Sequence, residues 1–255
     1  MADANKMGMN RTGMDMSPKQ SEAMLKGSEM ADAGPAGRRG MDQIRQAYFS
    51  EGDTVGSVPL PGSFSGALSS VKEKLQGNNP EVLINKLGQR LAFERAGVRL
   101  YEALIYKCQT SPDDTTSEII SVDSLKQFRN DEAEHFLLVH QIMESLGADP
   151  TAMTPDADVT ALSSLGVSKV LTEPRTSVLQ CLEAIQTVEL TDNAAWTLLQ
   201  ELCLNMGLDD MAKQLTPAIE QEEIHAHTIT QWIRQIAMKK GAGKALDSTD
   251  ASTTH

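Results

Sequence analysis

Leu215, Ala218, Glu222, His225, Ile229, Trp232 and Ile236 follow one another at steps of 3, 4, 3, 4, 3 and 4. That spacing draws one stripe along a helix and predicts the face it turns to a core. Two ionisable side chains stand in the middle of the stripe. A buried carboxylate is costly unless it is paired or bound to a metal. A fold that accepts this helix must therefore supply partners from elsewhere in the chain.

Three further segments carry the same signature. Leu87, Leu91, Glu94, Val98, Tyr101, Ile105 and Cys108 form a stripe with one central Glu. Leu125, Phe128, Glu132, His135, Val139, Ile142 and Leu146 form a second, with a Glu and a His three apart. Val178, Leu182, Ile185, Glu189, Asp192, Trp196, Leu199 and Cys203 form a third, again with a central Glu. Steps of 3 and 4 are the periodicity of packed antiparallel helices. The predicted helices are 80–109, 116–146, 176–206 and 208–238.

The two halves repeat one pattern: a helix with one central Glu, then a helix with Glu-x-x-His. Each first-helix Glu has a large aromatic seven residues on, Tyr101 and Trp196, which reads as an internal duplication. Ser111-Pro112-Asp113-Asp114 joins the first pair by a short turn, and Gly207 marks the turn of the second. Residues 147–175, interrupted by Pro150, Pro155, Gly166 and Pro174, are long enough to cross the length of a bundle, with a short helix expected within 161–171. The expected fold is all-α: an antiparallel four-helix bundle with one long crossover between helices two and three.

Composition agrees. Only ten of 255 residues are aromatic, and β-branched alternation is scarce after residue 80. Glycine, proline and methionine crowd the first 75 residues, and eight of the 13 methionines fall in the first 41. Three divisions follow: a largely disordered extension over 1–75, the bundle over 76–240 and a flexible tail over 241–255. Within the extension, one helical turn is expected at Gln43–Tyr48 and a short amphipathic helix at Ser63–Leu75. The methionine-rich stretch reads as a flexible polar tail, since few carboxylates or histidines accompany its sulfurs.

Several function classes are disfavoured. A net charge of −12 argues against nucleic-acid binding through a basic face. Cys108, Cys181 and Cys203 form no CxxC pair, so neither a disulfide framework nor a zinc or rubredoxin knuckle is expected. No apolar run reaches the span of a membrane, and no h-region or twin-arginine signal is found, so a cytoplasmic location is expected.

Four glutamates and two histidines on four facing helices suit two hard or borderline cations. Two divalent ions neutralise four carboxylates. Without them the carboxylates would repel, take up protons or admit water. Glu134 and Glu223 point off the stripe, Glu183 lies one position off its own, and His140 and His227 fall outside the i, i+3 pattern. Glu183 therefore ranks behind Glu189 as a ligand, and the other four read as surface groups.

The segments Leu91-Ala92-Phe93-Glu94-Arg95-Ala96-Gly97, Asp131-Glu132-Ala133-Glu134-His135 and Glu222-Glu223-Ile224-His225 resemble the ferritin-like superfamily of di-iron carboxylate proteins. That superfamily includes ferritins, bacterioferritins, rubrerythrins and di-manganese catalases, and the resemblance covers roughly residues 80–238. The overall pattern looks closest to bacterial ferritin-like domain proteins. By that resemblance Glu94 and Glu189 would be terminal ligands, Glu132 and Glu222 would bridge, and His135 and His225 would each cap one metal. Tyr101, one heptad from Glu94, would donate a hydrogen bond or an electron, beside a bland role in core packing. Asp192 would orient a ligand histidine, with a solvated or capping role as the alternative.

The implied cofactors are two Fe ions, or alternatively two Mn ions. The implied activity is oxidation of Fe(II) with oxygen or hydrogen peroxide in iron or oxidative-stress handling, with an electron donor the sequence does not identify. A di-manganese catalase, an iron-storage shell subunit and a non-enzymatic stress protein with a structural metal site stand as alternatives. A homodimer is compatible with a bundle of this size. The chain departs from the superfamily in its long extension, its long crossover and its missing rubredoxin-type CxxC pair.

Overall fold

The computed structural model describes residues 22, 23, 26, 35–59, 79–110 and 113–242. The described residues are helical with no strand, so the chain is all-α. Two compact units are distinguished, residues 1–54 and 55–255. The first contains helix α1, Pro35–Glu51, where the sequence suggested a single turn at 43–48. Residues 41–51 are exposed throughout. Most of the rest of the expected disordered extension, the boundary near 75, the helix expected at 63–75 and nearly all of the C-terminal tail lie outside the described residues.

The second unit contains α2 (Pro80–Thr110), α3 (Asp114–Ile119), α4 (Val122–Ser145), α5 (Pro155–Thr172), α6 (Val178–Asn205) and α7 (Asp209–Gly241). The six helices of this unit exceed the four expected for the bundle, for two local reasons. The expected helix 116–146 is broken at Ile120, whose ψ of 124° is extended. Asp113 and Thr116 close a reciprocal capping box over α3, and Ser121 then caps α4 by accepting from the Ser124 amide. The crossover holds an 18-residue helix, longer than expected. Pro155, read as an interruption, sits at its start behind the Thr154 cap, where a missing N–H costs nothing.

Each long helix passes through three zones. On α2, Leu83, Leu87 and Leu91 join one apolar cluster, Glu94 follows, and Leu100, Leu104 and Ile105 join a second. Helix α7 runs in the same order: Leu215 and Ala218, then Glu222 and His225, then Ile229, Trp232 and Ile236. Helices α4 and α6 run in the opposite order. So α2 and α7 point one way, α4 and α6 the other, and a polar layer lies between two apolar cores. Cross-helix bonds agree: Gln186 donates to Thr230 at 2.8 Å and Gln200 to Thr216 at 3.0 Å, as antiparallel α6 and α7 require.

Helix α5 carries the chain from the end of α4 back to the start of α6, along α2. Its first turn meets α2 near Gly88, where a Cβ would lie 2.4 Å from Thr154 Oγ1. Its far end is tied by the buried Lys107, whose ammonium donates to the Glu173 carbonyl at 2.8 Å. That contact satisfies carbonyls left unpaired at a helix C-terminus. No described helix is long and apolar enough to cross a membrane.

Candidate metal centre

The polar layer brings together all six residues that the sequence singled out as metal ligands. Glu94 comes from α2, Glu132 and His135 from α4, Glu189 from α6, and Glu222 and His225 from α7. None is more than 2 % exposed. Their ligand atoms fall into sets that lie within 4.8 Å: Glu132, Glu189, Glu222 and His225; Glu94, His135 and Glu222; and Glu94, Glu132, Asp192 and Glu222. Glu222 belongs to all three sets and Glu132 to two. Each set could hold a cation, and no thiolate takes part.

Both histidines turn Nδ1 inward. His225 Nδ1 lies 3.6 Å from Glu132 and Glu222 and 3.7 Å from Glu189. His135 Nδ1 lies 2.8 Å from Glu222 and 3.6 Å from Glu94. The opposite nitrogens are anchored from the neighbouring helix. His225 Nε2 is 3.1 Å from Asp131 Oδ2, and His135 Nε2 is 2.9 Å from Gln221 Oε1. Anchoring one ring nitrogen sets the tautomer and aims the other.

The donor set fits a pair of cations. Oε2 of Glu94, Glu132 and Glu189, both oxygens of Glu222 and Nδ1 of both histidines are buried without an aligned hydrogen-bond partner. Buried polar atoms are ordinarily satisfied, so seven orphans in one layer call for a missing partner. Hard carboxylate oxygens with two imidazoles suit first-row divalent ions.

Protons are shared strongly across the layer when no cation is counted. Burial, then the charge of Glu222, pushes Glu189 up to about 8. The same two causes, in the same order, hold Glu132 well above the usual carboxylate range. Burial opposes the charge on Glu222, yet hydrogen bonding from His135 and His225 outweighs it and draws the group down to about 2. Burial likewise disfavours charged imidazoles, but the carboxylates win. Glu222 and Glu94 take His135 up to about 11, and Asp131, Glu132 and Glu222 take His225 up to about 12. Nδ1 of each histidine thus faces the region that a cation would take.

Tyr101 lies beside the layer and donates from its hydroxyl to Glu189 Oε1 at 2.7 Å. The sequence associated it with Glu94, on its own helix; the acceptor is on α6. Burial, then Glu189, raises its pKa well above the ordinary value. Asp192 is buried at the layer but orients no histidine. It pairs with Arg90, which is itself 1 % exposed, 3.4 Å from Glu94 Oε1 and 4.4 Å from the centroid of the Phe93 ring. A buried guanidinium leaves Asp192 no need of an imidazole.

Four contributors escaped the sequence reading. Asp131 and Gln221 do the work assigned to Asp192. Each precedes its helix's Glu by one residue, so the duplication itself carried the signal. Arg90 stands four residues before Glu94, one turn away on the same face. Gly97 stands three after it, and a Cβ there would lie 2.0 Å from Glu132 Oε2. A glycine in a helix interior is the mark of such a close approach. Glu134, Glu183, Glu223 and His227 are exposed and His140 half-buried, outside the layer.

Compared with known proteins, the chain matches no family model, no curated protein and no solved structure.

Proposed function

We propose that the buried layer holds two cations and that this is a ferritin-like di-iron protein, in which α2, α4, α6 and α7 form the four-helix bundle and α5 the crossover. Its activity is the oxidation of Fe(II) with oxygen or hydrogen peroxide. The observation that carries the reading is that Glu132 and Glu222 each share a ligand set with Glu94 and a ligand set with Glu189. Each reaches both the Glu94 and the Glu189 side of the layer, as bridging carboxylates must. The resemblance of the Glu-x-x-His segments supports a di-iron centre, with a di-manganese centre as the alternative.

In this reading Fe(II) is the substrate and supplies the electrons. Two Fe(II) give one electron each, and one peroxide with two protons becomes two waters. The chain's residues bind and orient. Glu94 and Glu189 hold one side each, and Glu132 and Glu222 span both. Tyr101 occupies Oε1 of Glu189 and leaves Oε2 for a cation. Asp131 and Gln221 keep each imidazole from rotating away. The apolar clusters on either side exclude water, which strengthens every charge interaction within.

A second reading has its own observation. All six ligands are at most 2 % exposed, so none of them opens the layer to solvent. A cation that only staples the helices would need no path for peroxide.

Elemental mass spectrometry on protein purified without added metal tests both readings, with Glu132→Gln beside it and peroxide consumption measured on each with Fe(II) supplied as the reductant. Roughly two irons per chain, lost in the variant, with turnover, is the expected result. Metal without turnover favours the staple, two manganese ions a catalase, and many irons per chain a storage shell. A folded protein that takes up no metal overturns the proposal.

A further inference from the structure

The two halves of the layer are not equivalent, and both differences fall on the same side. On one side Glu189 receives a neutral donor, the Tyr101 hydroxyl, and His225 is anchored by a carboxylate, Asp131. On the other, Glu94 lies 3.4 Å from the buried Arg90 guanidinium, and His135 is anchored by a neutral amide, Gln221. The duplication makes the contrast residue by residue. Position −4 from the first-helix Glu is Arg90 in one half and Ile185 in the other. Position +3 is Gly97 in one and Asp192 in the other. Position −1 from the second-helix Glu is Asp131 in one and Gln221 in the other.

Each difference has a chemical consequence for a bound cation. A carboxylate behind a histidine raises the basicity of the ring, and an amide does so less. Arg90 keeps its proton and its charge in a protein interior. It already engages Glu94 and Asp192, two of the four carboxylates in the third set. A fixed guanidinium charge therefore stands on the Glu94 side, whereas no arginine or lysine pairs with Glu189 among the described residues. Resting on the two-cation reading above, we propose that the centre fills in order: the Glu189–His225 position binds first and more tightly, and Arg90 with Gln221 keeps the Glu94–His135 position weaker and exchangeable. Arg90 and Asp131 are then positioning residues that set the order of loading.

The test is a titration of the chelator-stripped full chain with Co(II), followed by visible absorption and calorimetry, with no turnover involved. Two steps separated by ~10-fold or more in affinity are expected. The paired variant Arg90→Gln with Asp192→Asn removes both buried charges together and narrows the gap by tightening the weaker step. Asp131→Asn keeps a hydrogen-bonding group and narrows the gap by weakening the stronger step. Equal affinities in the parent chain, or a weaker step that loosens in the paired variant, overturn the inference while leaving two cations in place. The latter result would make Asp192 a ligand. Absence of Co(II) binding overturns the two-cation reading itself. Should circular dichroism show the paired variant unfolded, Asp131→Asn decides alone: a stronger step left unchanged rejects the proposal.

Discussion

His225 Nε2 lies 3.1 Å from Asp131 Oδ2, between helices α7 and α4, and both groups are buried. Asp131 also accepts from Gln127 at 2.8 Å and from Gln221 at 3.3 Å. Gln221 in turn meets His135. One chain of side-chain contacts therefore orients both imidazoles and links the two helices that each carry a Glu and a His. The centre's geometry depends on groups outside its ligand set.

Glu132→Gln separates stability from metal binding. Burial and the charge of Glu222 favour the protonated form of Glu132, and glutamine has the shape of that form. The chelator-treated variant is expected to melt within about 1 kcal/mol of the parent, since surrounding contacts are kept. Added metal stabilises the parent by about 2.7 kcal/mol at a hundred times its Kd and the variant by much less. Differential scanning calorimetry with and without metal reads both. An equal metal-induced shift in the two proteins would remove Glu132 from the site.

Gly97→Ala sets two effects of opposite sign against each other. Alanine in a helix interior gains up to about 1 kcal/mol over glycine. Here its methyl would lie 2.0 Å from Glu132 Oε2, so the carboxylate must move. The expected result is a variant with normal helix content, no gain in thermal stability and reduced metal uptake by mass spectrometry. A more stable variant with full metal content would show that the space beside Gly97 is not needed.

Tyr101→Phe removes one hydroxyl and leaves Glu189 Oε1 buried without its donor. Without metal Glu189, pushed up to about 8, is mostly uncharged near pH 7, where a hydrogen bond contributes about 0.5–1.5 kcal/mol, so chelator-treated protein should lose a comparable amount in urea unfolding. A loss near zero would place the hydroxyl's value in the metal-loaded state alone.

Asp113→Ala tests the ends of the helices. Asp113 accepts from the Thr116 amide at 2.9 Å and pairs with Lys240 at 2.8 Å, tying the start of α3 to the end of α7. Loss of such a cap costs about 1 kcal/mol. Hydrogen bonding from Lys240, then from the Thr116 amide, holds the Asp113 carboxyl below its usual value. A depressed folded-state pKa means that this stability is complete above the unfolded value, roughly 4, and fades as pH falls through the folded one. The variant's deficit should therefore be present at pH 7 and shrink toward pH 3 in thermal melts. A deficit independent of pH would assign it to the lost cap geometry rather than the charge.

The sequence by itself determined the helical class, the buried stripes and the six residues of the polar layer. Helical periodicity is local: a step of 3 or 4 decides which side chains share a face, whatever lies opposite. Every residue of the Leu215 to Ile236 stripe is buried, including Glu222 and His225. The duplication matches three polar positions in one half to three in the other, whatever the packing. The number of helices was less legible. Ile120 leaves the helical region because Ser121 offers the next helix a cap, and Pro155 begins a helix because of Thr154 before it. Each is a choice between two conformations that both suit the local sequence.

Only the tertiary structure decided who touches whom across helices. Asp192 shares a face with Glu189, which suits a histidine partner or a solvated or capping role alike, but Arg90 reaches it from α2. Tyr101 shares a face with Glu94 but bonds Glu189. Asp131 and Gln221 lie beside the stripes and anchor the rings because α4 and α7 run antiparallel in contact. A stripe specifies direction on one helix. The partner depends on the rotation and axial offset of a second helix, and those come from packing the two apolar cores on either side of the polar layer.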